Sequence, residues 1–266
     1  MPCLTSEFRT SELYEGDVMN KGIYPALSGG VAYEKLLSII ANNVANINTA
    51  GFKADRPVFK VDVPDSMNNT MGQGNNITAS PYSLSDKFYT EIDSVFTDFN
   101  SGVIRQTGNV LDLAIEGNGF FEIDTPDGTR YTRSGNFILD ASKTLTTVDG
   151  HMVMGDGGPI ILEEGKIAVD ADGRVSVNGS EVNKVKIVDF EKPYTLTKDQ
   201  NNMFFGAGEQ TAGGYKLLQG AVELSNVNSV KEMAAMISVL RGYESYQKVM
   251  TTMDETSAKA NEVGRV

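Results

Sequence analysis

The chain has 266 residues, 40% hydrophobic and 22% charged, enough for one large or two small domains with true cores. Its formal net charge of −12 excludes the basic surface that nucleic-acid backbones require and gives no attraction to anionic lipid. The single cysteine, Cys3, excludes an intramolecular disulfide, and no apolar run approaches the roughly 18 residues of a membrane span.

Residues 1–18 mix charge with Ser and Thr without a sustained period, and Met19 follows directly. Residues 1–22 are expected to be a disordered extension or a start assigned too far upstream. No basic stretch followed by an apolar core occurs in the first 30 residues, so a cleaved secretory signal is not expected. From Ile23 to Ile47, residues Ile23, Ala26, Gly30, Tyr33, Leu37, Ile40, Val44 and Ile47 alternate spacings of three and four. That heptad seam predicts a helix over 23–50 that packs along another helix. Pro25 suits its first turn, and Gly51 suits the position just past its last, with Phe52 folding back.

Its end is loaded with Asn42, Asn43, Asn46 and Asn48. Asparagine competes with the helix for backbone hydrogen bonds, and four of them cost about 2–3 kcal/mol relative to alanine. Residues 51–110 read as a linker with extended segments, holding Pro57, Pro64, Pro81 and the run "NNTMGQGNN". Within it, 88–99 alternate like a strand.

Residues 111–224 are predicted to be β. Asp127-Gly128, Asp149-Gly150, Asp172-Gly173 and Asn178-Gly179 supply tight turns between short apolar runs. Hairpin after hairpin implies an antiparallel sandwich or irregular barrel. Ser229 and Glu232 then fit a capping box, and Met233, Ile237, Leu240, Tyr243, Tyr246, Met250 and Met253 form a broad apolar face. The fold class expected is α+β: an antiparallel β domain flanked by terminal helices, 23–50 pairing with 225–263 as a coiled-coil-like element.

Chemistry is sparse. His151 is the only histidine and follows a turn, with no nucleophile elbow beside it. No phosphate-cradling glycine motif occurs. "DADGRVSVNGSE" (170–181) places acids at loop positions 1, 3 and 12 of a calcium loop, but its glycine is misplaced and Arg174 fills a ligand position. It reads as a hairpin. No catalytic, metal or cofactor site is expected.

Four segments carry a resemblance: "ANNVANINTAGFK" (41–53), "LDLAIEGNGFFEI" (111–123), "YTRSGNF" (131–137) and "ELSNVNSVKEMAAMISVLRGYE" (223–244). In this order they resemble the signatures of bacterial flagellar rod and hook proteins. "MNKGIYPALSGG" (19–30) and "VMGDGGPI" (153–160) are most similar to the proximal-rod members. Distal-rod and hook proteins share the four motifs.

The resemblance implies a periplasmic axial component of the basal body, self-assembling and transmitting torque. It implies delivery through the flagellar type III export apparatus. Partners would be proximal and distal rod subunits and copies of itself. The terminal helices would form an inner tube with the β domain outside. Subunit packing is then expected at Asn42, Asn43, Asn46, Gly51, Phe52, Asn226, Asn228, Ile237 and Tyr243. In such a tube a buried amide bonds across a subunit boundary, and a misregistered neighbour leaves it unpaired at about 1–3 kcal/mol. A secreted adhesin or carbohydrate-binding β domain is the rival reading, which the lack of Trp disfavours. A hydrolase lacks any triad.

Overall fold

A computed structural model describes residues 23–62 and 89–263. The expectations for residues 1–22 and for the middle of the 51–110 segment lie outside these described residues. Helix α1 is Ile23–Ala45, followed by strands β1 (Asp55–Asp62), β2 (Tyr89–Thr97), β3 (Ile104–Gln106), β4 (Leu113–Glu116), β5 (Phe120–Thr125) and β6 (Gly128–Thr132). Short strands follow: β7 (Ile138–Leu139), β8 (Leu145–Thr146), β9 (Met152–Gly155), β10 (Gly158–Pro159), β11 (Ile167–Val169), β12 (Arg174–Val177) and β13 (Ser180–Lys184). The last are β14 (Ile187–Asp189), β15 (Thr197–Lys198), β16 (Phe204–Phe205), β17 (Gln210–Thr211), β18 (Lys216–Gln219) and β19 (Ala221–Glu223), before helix α2 (Ser229–Val263). The α+β class with helices at both ends is as read from the sequence.

The chain divides into two compact units. One holds α1 as far as Ala41, residues 57–62 and 89–96, and α2 from Met233. Its two helices meet through a reciprocal glycine–tyrosine fit. A Cβ on Gly29 would lie 2.7 Å from the Tyr246 ring, and one on Gly242 would lie 2.3 Å from the Tyr33 ring. The two rings are 5.2 Å apart between centroids. Gly29 opposes Tyr246 while Tyr33 opposes Gly242, so the helices run antiparallel. Tyr33 of the heptad reading lies on the seam and Ile40 is buried, but the facing glycine is Gly29, since Gly30 faces open space. The cause is steric: a tyrosine ring needs a neighbour without a side chain, and Gly29 shares a face with Tyr33 four residues on. Ala32, Ile40 and Val239 are buried, as is Ile92 of the β1–β2 ribbon, whose carbonyl accepts from Lys35 Nζ at 3.2 Å.

The other unit holds Asn42–Arg56 and Thr97–Glu232. A ten-stranded sheet runs β15-β16-β6-β5-β9-β8-β7, with β10, β14 and β17 attached beside that path. Smaller sheets are β11-β12-β13, β18-β4 and β19-β3. The ladders of this unit are antiparallel, and the sheets do not close into a barrel.

Strand β5 explains the layering. Phe121 and Ile123 point into a core with Leu113, Phe137, Val153 and Ile187. Phe120, on the opposite face, enters an aromatic cluster with Tyr131, Phe190 and Phe204. A strand apolar on both faces must be covered on both faces. Phe99 and Tyr194 pack edge-on against Phe120. Burial, then the hydrogen bond to Asp189, pushes the Tyr194 phenol up to about 12.

The turns separate into two kinds. Of the four Asp-Gly and Asn-Gly turns, only Asn178-Gly179 has both residues at positive φ (54° and 85°), the two-residue turn proper. In the loops Asp140–Thr144 and Asp170–Arg174, the first residue's carbonyl accepts from the fourth N–H and its N–H donates to the fifth carbonyl. Each leading aspartate also accepts from two later N–H groups. Only the fourth residue has positive φ, Lys143 at 62° and Gly173 at 87°. Lysine there carries a left-handed strain that glycine does not. Lys143→Gly is therefore expected to raise the unfolding free energy by up to about 1 kcal/mol, and Gly173→Lys to lower it by about as much. Urea titration of the two variants checks both signs.

Candidate functional site

Helix α1 ends at Ala45, short of the expected residue 50, and the asparagines are the reason. Asn46 N donates to both Asn42 O and Asn43 O at 3.2 Å, so the helical ladder slackens. Asn46 Nδ2 donates to Asn42 O at 2.9 Å, and Thr49 Oγ1 donates to Asn46 Oδ1 at 3.1 Å. These are the side-chain bonds that compete with helix. Buried Asn43 grips backbone in both directions: its Nδ2 donates to Asp55 O and Asp55 N donates to its Oδ1, each at 2.9 Å.

The chain then reverses at Gly51, whose φ is 66° and whose N–H donates to Glu223 O at 2.8 Å. A Cβ there would lie 2.3 Å from the backbone of Arg133 and Ser134. Phe52 is buried, with the Lys198 ammonium 3.8 Å from its ring centroid. Lys198 also donates to Lys53 O at 2.8 Å and to Asp55 Oδ2 at 3.0 Å. Burial holds its ammonium below the usual lysine range, and Asp55 opposes that shift.

Next to this turn lie three buried charges. Lys53 Nζ donates to Glu223 Oε1 at 2.7 Å and to Asn100 O at 2.9 Å. Glu223 Oε1 also accepts from Gly102 N at 2.8 Å. Arg133 Nη1 lies 3.4 Å from Glu223 Oε2 and donates to Ile115 O at 3.1 Å. The Arg133 guanidinium lies 5.6 Å from the Phe120 ring centroid. Two cations thus share one carboxylate, and all three side chains are at most 4% exposed. Burial depresses the affinity of Lys53 and of Arg133 for protons, and Glu223 opposes both shifts.

Asn226 ties the same knot from the far end of the sequence. Its Oδ1 accepts from Ala54 N at 2.8 Å, and its Nδ2 donates to Asp98 O at 2.7 Å and Asn100 O at 3.0 Å. Asn228 caps α2 by accepting from Lys231 N at 3.0 Å. The cap is therefore one residue earlier than the expected Ser229. Glu232, expected to close that capping box, is instead buried and accepts from Arg56 Nη1 at 2.7 Å. An arginine within reach outcompetes a backbone N–H for a carboxylate.

The structure thus gathers Asn43, Gly51, Phe52 and Asn226 at one junction. Asn46 ends α1 and Asn228 starts α2. Asn42 is exposed and its amide has no partner among the described residues. Ile237 is 53% exposed along α2 and Tyr243 is half-buried. Sequence reasoning passed over Lys53, Arg133 and Glu223. A signal was present: each charge stands inside a motif that is otherwise apolar, hydroxyl or amide, in "GFK", "YTRSGNF" and "ELSNVN".

Chemically, the junction can lock three distant segments together. Among the described residues no group of His, Cys, Asp and Glu could hold a metal ion, and no helix is long and apolar enough to cross a membrane.

Three family profiles match the chain. "Flagella basal body rod protein" covers residues 23–53, "Flagellar hook protein FlgE/F/G D1 domain" 114–177, and "Flagellar basal body rod FlgEFG protein C-terminal" 218–263. The first contains Gly51 and Lys53, the second Arg133, the third Glu223 and Asn226, so the three meet at the junction. The flagellar basal-body rod protein FlgG of Bacillus subtilis is 35% identical over 262 residues, covering 89% of this chain and 96% of its own. The rod protein FlgF of Rhizobium meliloti is 33% identical over 251 residues, covering 92% and 98%. FlgF of Caulobacter vibrioides is 32% identical over 250 residues, with the same coverage. Matched nearly end to end by such relatives, the chain belongs to the family of flagellar basal-body rod proteins, structural subunits of the bacterial flagellar basal body.

Proposed function

We propose that the chain is a non-catalytic subunit of the proximal rod, which packs against neighbouring rod subunits and copies of itself and carries torque by rigidity. It reaches the periplasm through the flagellar type III export apparatus. The observation that carries this reading is a stripe on α2: Met233, Ile237 and Leu240 share one helical face and are 51%, 53% and 38% exposed. Apolar side chains aligned on a helix and left in water suit a surface completed by a partner. Ile237, Tyr243 and the free amide of Asn42 make such contacts directly. Asn43, Asn46, Gly51, Phe52, Asn226 and Asn228 act by holding the helix ends in place.

The proximal assignment rests on "MNKGIYPALSGG" and "VMGDGGPI". A distal position is favoured by the 35% identity to the Bacillus protein named FlgG. Ile237→Asp decides the packing role. Burying isoleucine contributes about 1.5–3 kcal/mol, so the variant is expected to weaken each helix contact by roughly tenfold or more. The monomer should melt as the parent does, the subunit should still be exported, and rods should fail to complete with loss of swimming. Normal swimming of an exported Ile237→Asp protein would refute the reading.

A further inference from the structure

The β-rich unit carries a polar cleft of about 950 Å³. Its walls include Asn42, Asn48, Asn136, Asn201, Asn202 and Arg105. The amides of Asn42, Asn48 and Asn201 are exposed and have no partner among the described residues. Asn136 accepts from Ser134 Oγ but has no acceptor there for its own Nδ2. Asn202 donates to Ala50 O at 3.1 Å, yet its Oδ1 is buried without a donor among the described residues. A buried acceptor left unpaired is satisfied by an incoming N–H.

Elsewhere this chain shows what such amides grip. Asn43 pairs in both directions with the Asp55 backbone at the start of strand β1. Asn226 accepts from Ala54 N and donates to two carbonyls. In both places an asparagine side chain holds polypeptide backbone as another strand would. We infer that the cleft binds an extended backbone segment of a neighbouring copy of this chain, through Asn42, Asn48, Asn201 and Asn202.

Charge favours a second copy as occupant. Each chain carries −12, so identical chains approach best where charge is low. Most of the named groups are neutral amides. Of four wall aspartates, Asp55 and Asp199 are matched by Lys198 and Arg130 at 3.0 and 2.8 Å, and Asp112 accepts from Thr107 Oγ1 and Asn109 Nδ2. Asp149 is left as the one carboxylate with no cation or hydrogen-bond donor on its side chain among the described residues. Arg105, exposed and without an ion-pair partner among the described residues, offers the acidic neighbour a cation. This inference rests on the rod-subunit reading and deepens it.

The test is photo-crosslinking in cells with p-benzoylphenylalanine placed in the full chain at Asn48, at Arg105 and, separately, at Ile237. The expected result is a copy-to-copy adduct at Asn48 or Arg105, mapped by mass spectrometry to an extended segment and several-fold above that from exposed Lys143. In the chain labelled at Arg105, Asn42→Asp/Asn48→Asp/Asn201→Asp should cut the adduct about tenfold, because three donors are lost. Adducts at Ile237 alone would overturn the cleft and leave the rod reading standing. Adducts at none of the three sites would overturn both. A cleft adduct to a glycan or to a different protein would reject a second copy as the occupant.

Discussion

Glu223→Ala is expected to cost about 3–5 kcal/mol of unfolding free energy, the range for stripping the partner from a buried charge. The reason is stoichiometric. Among the described residues Glu223 is the one carboxylate facing both Lys53 and Arg133, at 2.7 and 3.4 Å. Its removal also deprives Gly102 N of its acceptor. Lys53→Met is expected to cost clearly less, because Arg133 and Glu223 remain as a neutral pair. A larger loss for Lys53→Met than for Glu223→Ala would sink this account.

The Glu223→Ala loss should also shrink in alkali. Burial lowers the Lys53 proton affinity below its ordinary value of 10.5, and Glu223 is the main group opposing that shift. Without Glu223 the folded state sheds the Lys53 proton first as pH rises toward 10.5, while the unfolded chain still holds it. Where the unfolded state binds more protons, stability rises with pH. Urea titrations of the variant at neutral pH and near pH 10 measure the recovery.

Gly51→Ala is expected to be severely damaging for a single added methyl group. Two independent costs coincide. The φ of 66° is a left-handed conformation, and the added carbon would lie 2.3 Å from the Arg133 and Ser134 backbone. Backbone cannot swing away as a flexible side chain can, so the expected loss exceeds about 3 kcal/mol. Gly150→Ala separates the two costs. Its φ is 87°, yet nothing lies within 4 Å of the added carbon. It should lose only about 1 kcal/mol from conformation. Similar melting of the two variants would show that close approach at Gly51 contributes little.

Periodicity made the helices and hairpins legible. A heptad pattern at one end, an apolar helical face at the other and turn dipeptides between them are local signals, and local signals report local structure. The end of α1 was less legible, because Asn43 finds its partner twelve residues on at Asp55. The shift from Gly30 to Gly29 was hidden for a similar reason: which glycine matters depends on where Tyr246 lies. Charge was the least legible. Lys53, Arg133 and Glu223 look like surface residues until three segments converge, and no spacing rule connects them. The six-residue stretch "NTAGFK" shows both limits, since Gly51 announces a turn while Lys53 conceals a buried ammonium.

The junction also fixes an order of events in time. Lys53 and Glu223 are 170 residues apart, and Ala54 and Asn226 are 172 apart. Strands β3 and β4 likewise wait for β19 and β18. Loops this long close slowly, because their entropy is spent before the contacts form. As the chain emerges from the ribosome, Gly51 N–H, Lys53 and Arg133 meet no acceptor on Glu223 until the last strand has been made. Closure of this junction belongs to the end of synthesis, and a chain deprived of residues 216–223 lacks the pairing partners of β3, β4, Lys53 and the Gly51 N–H.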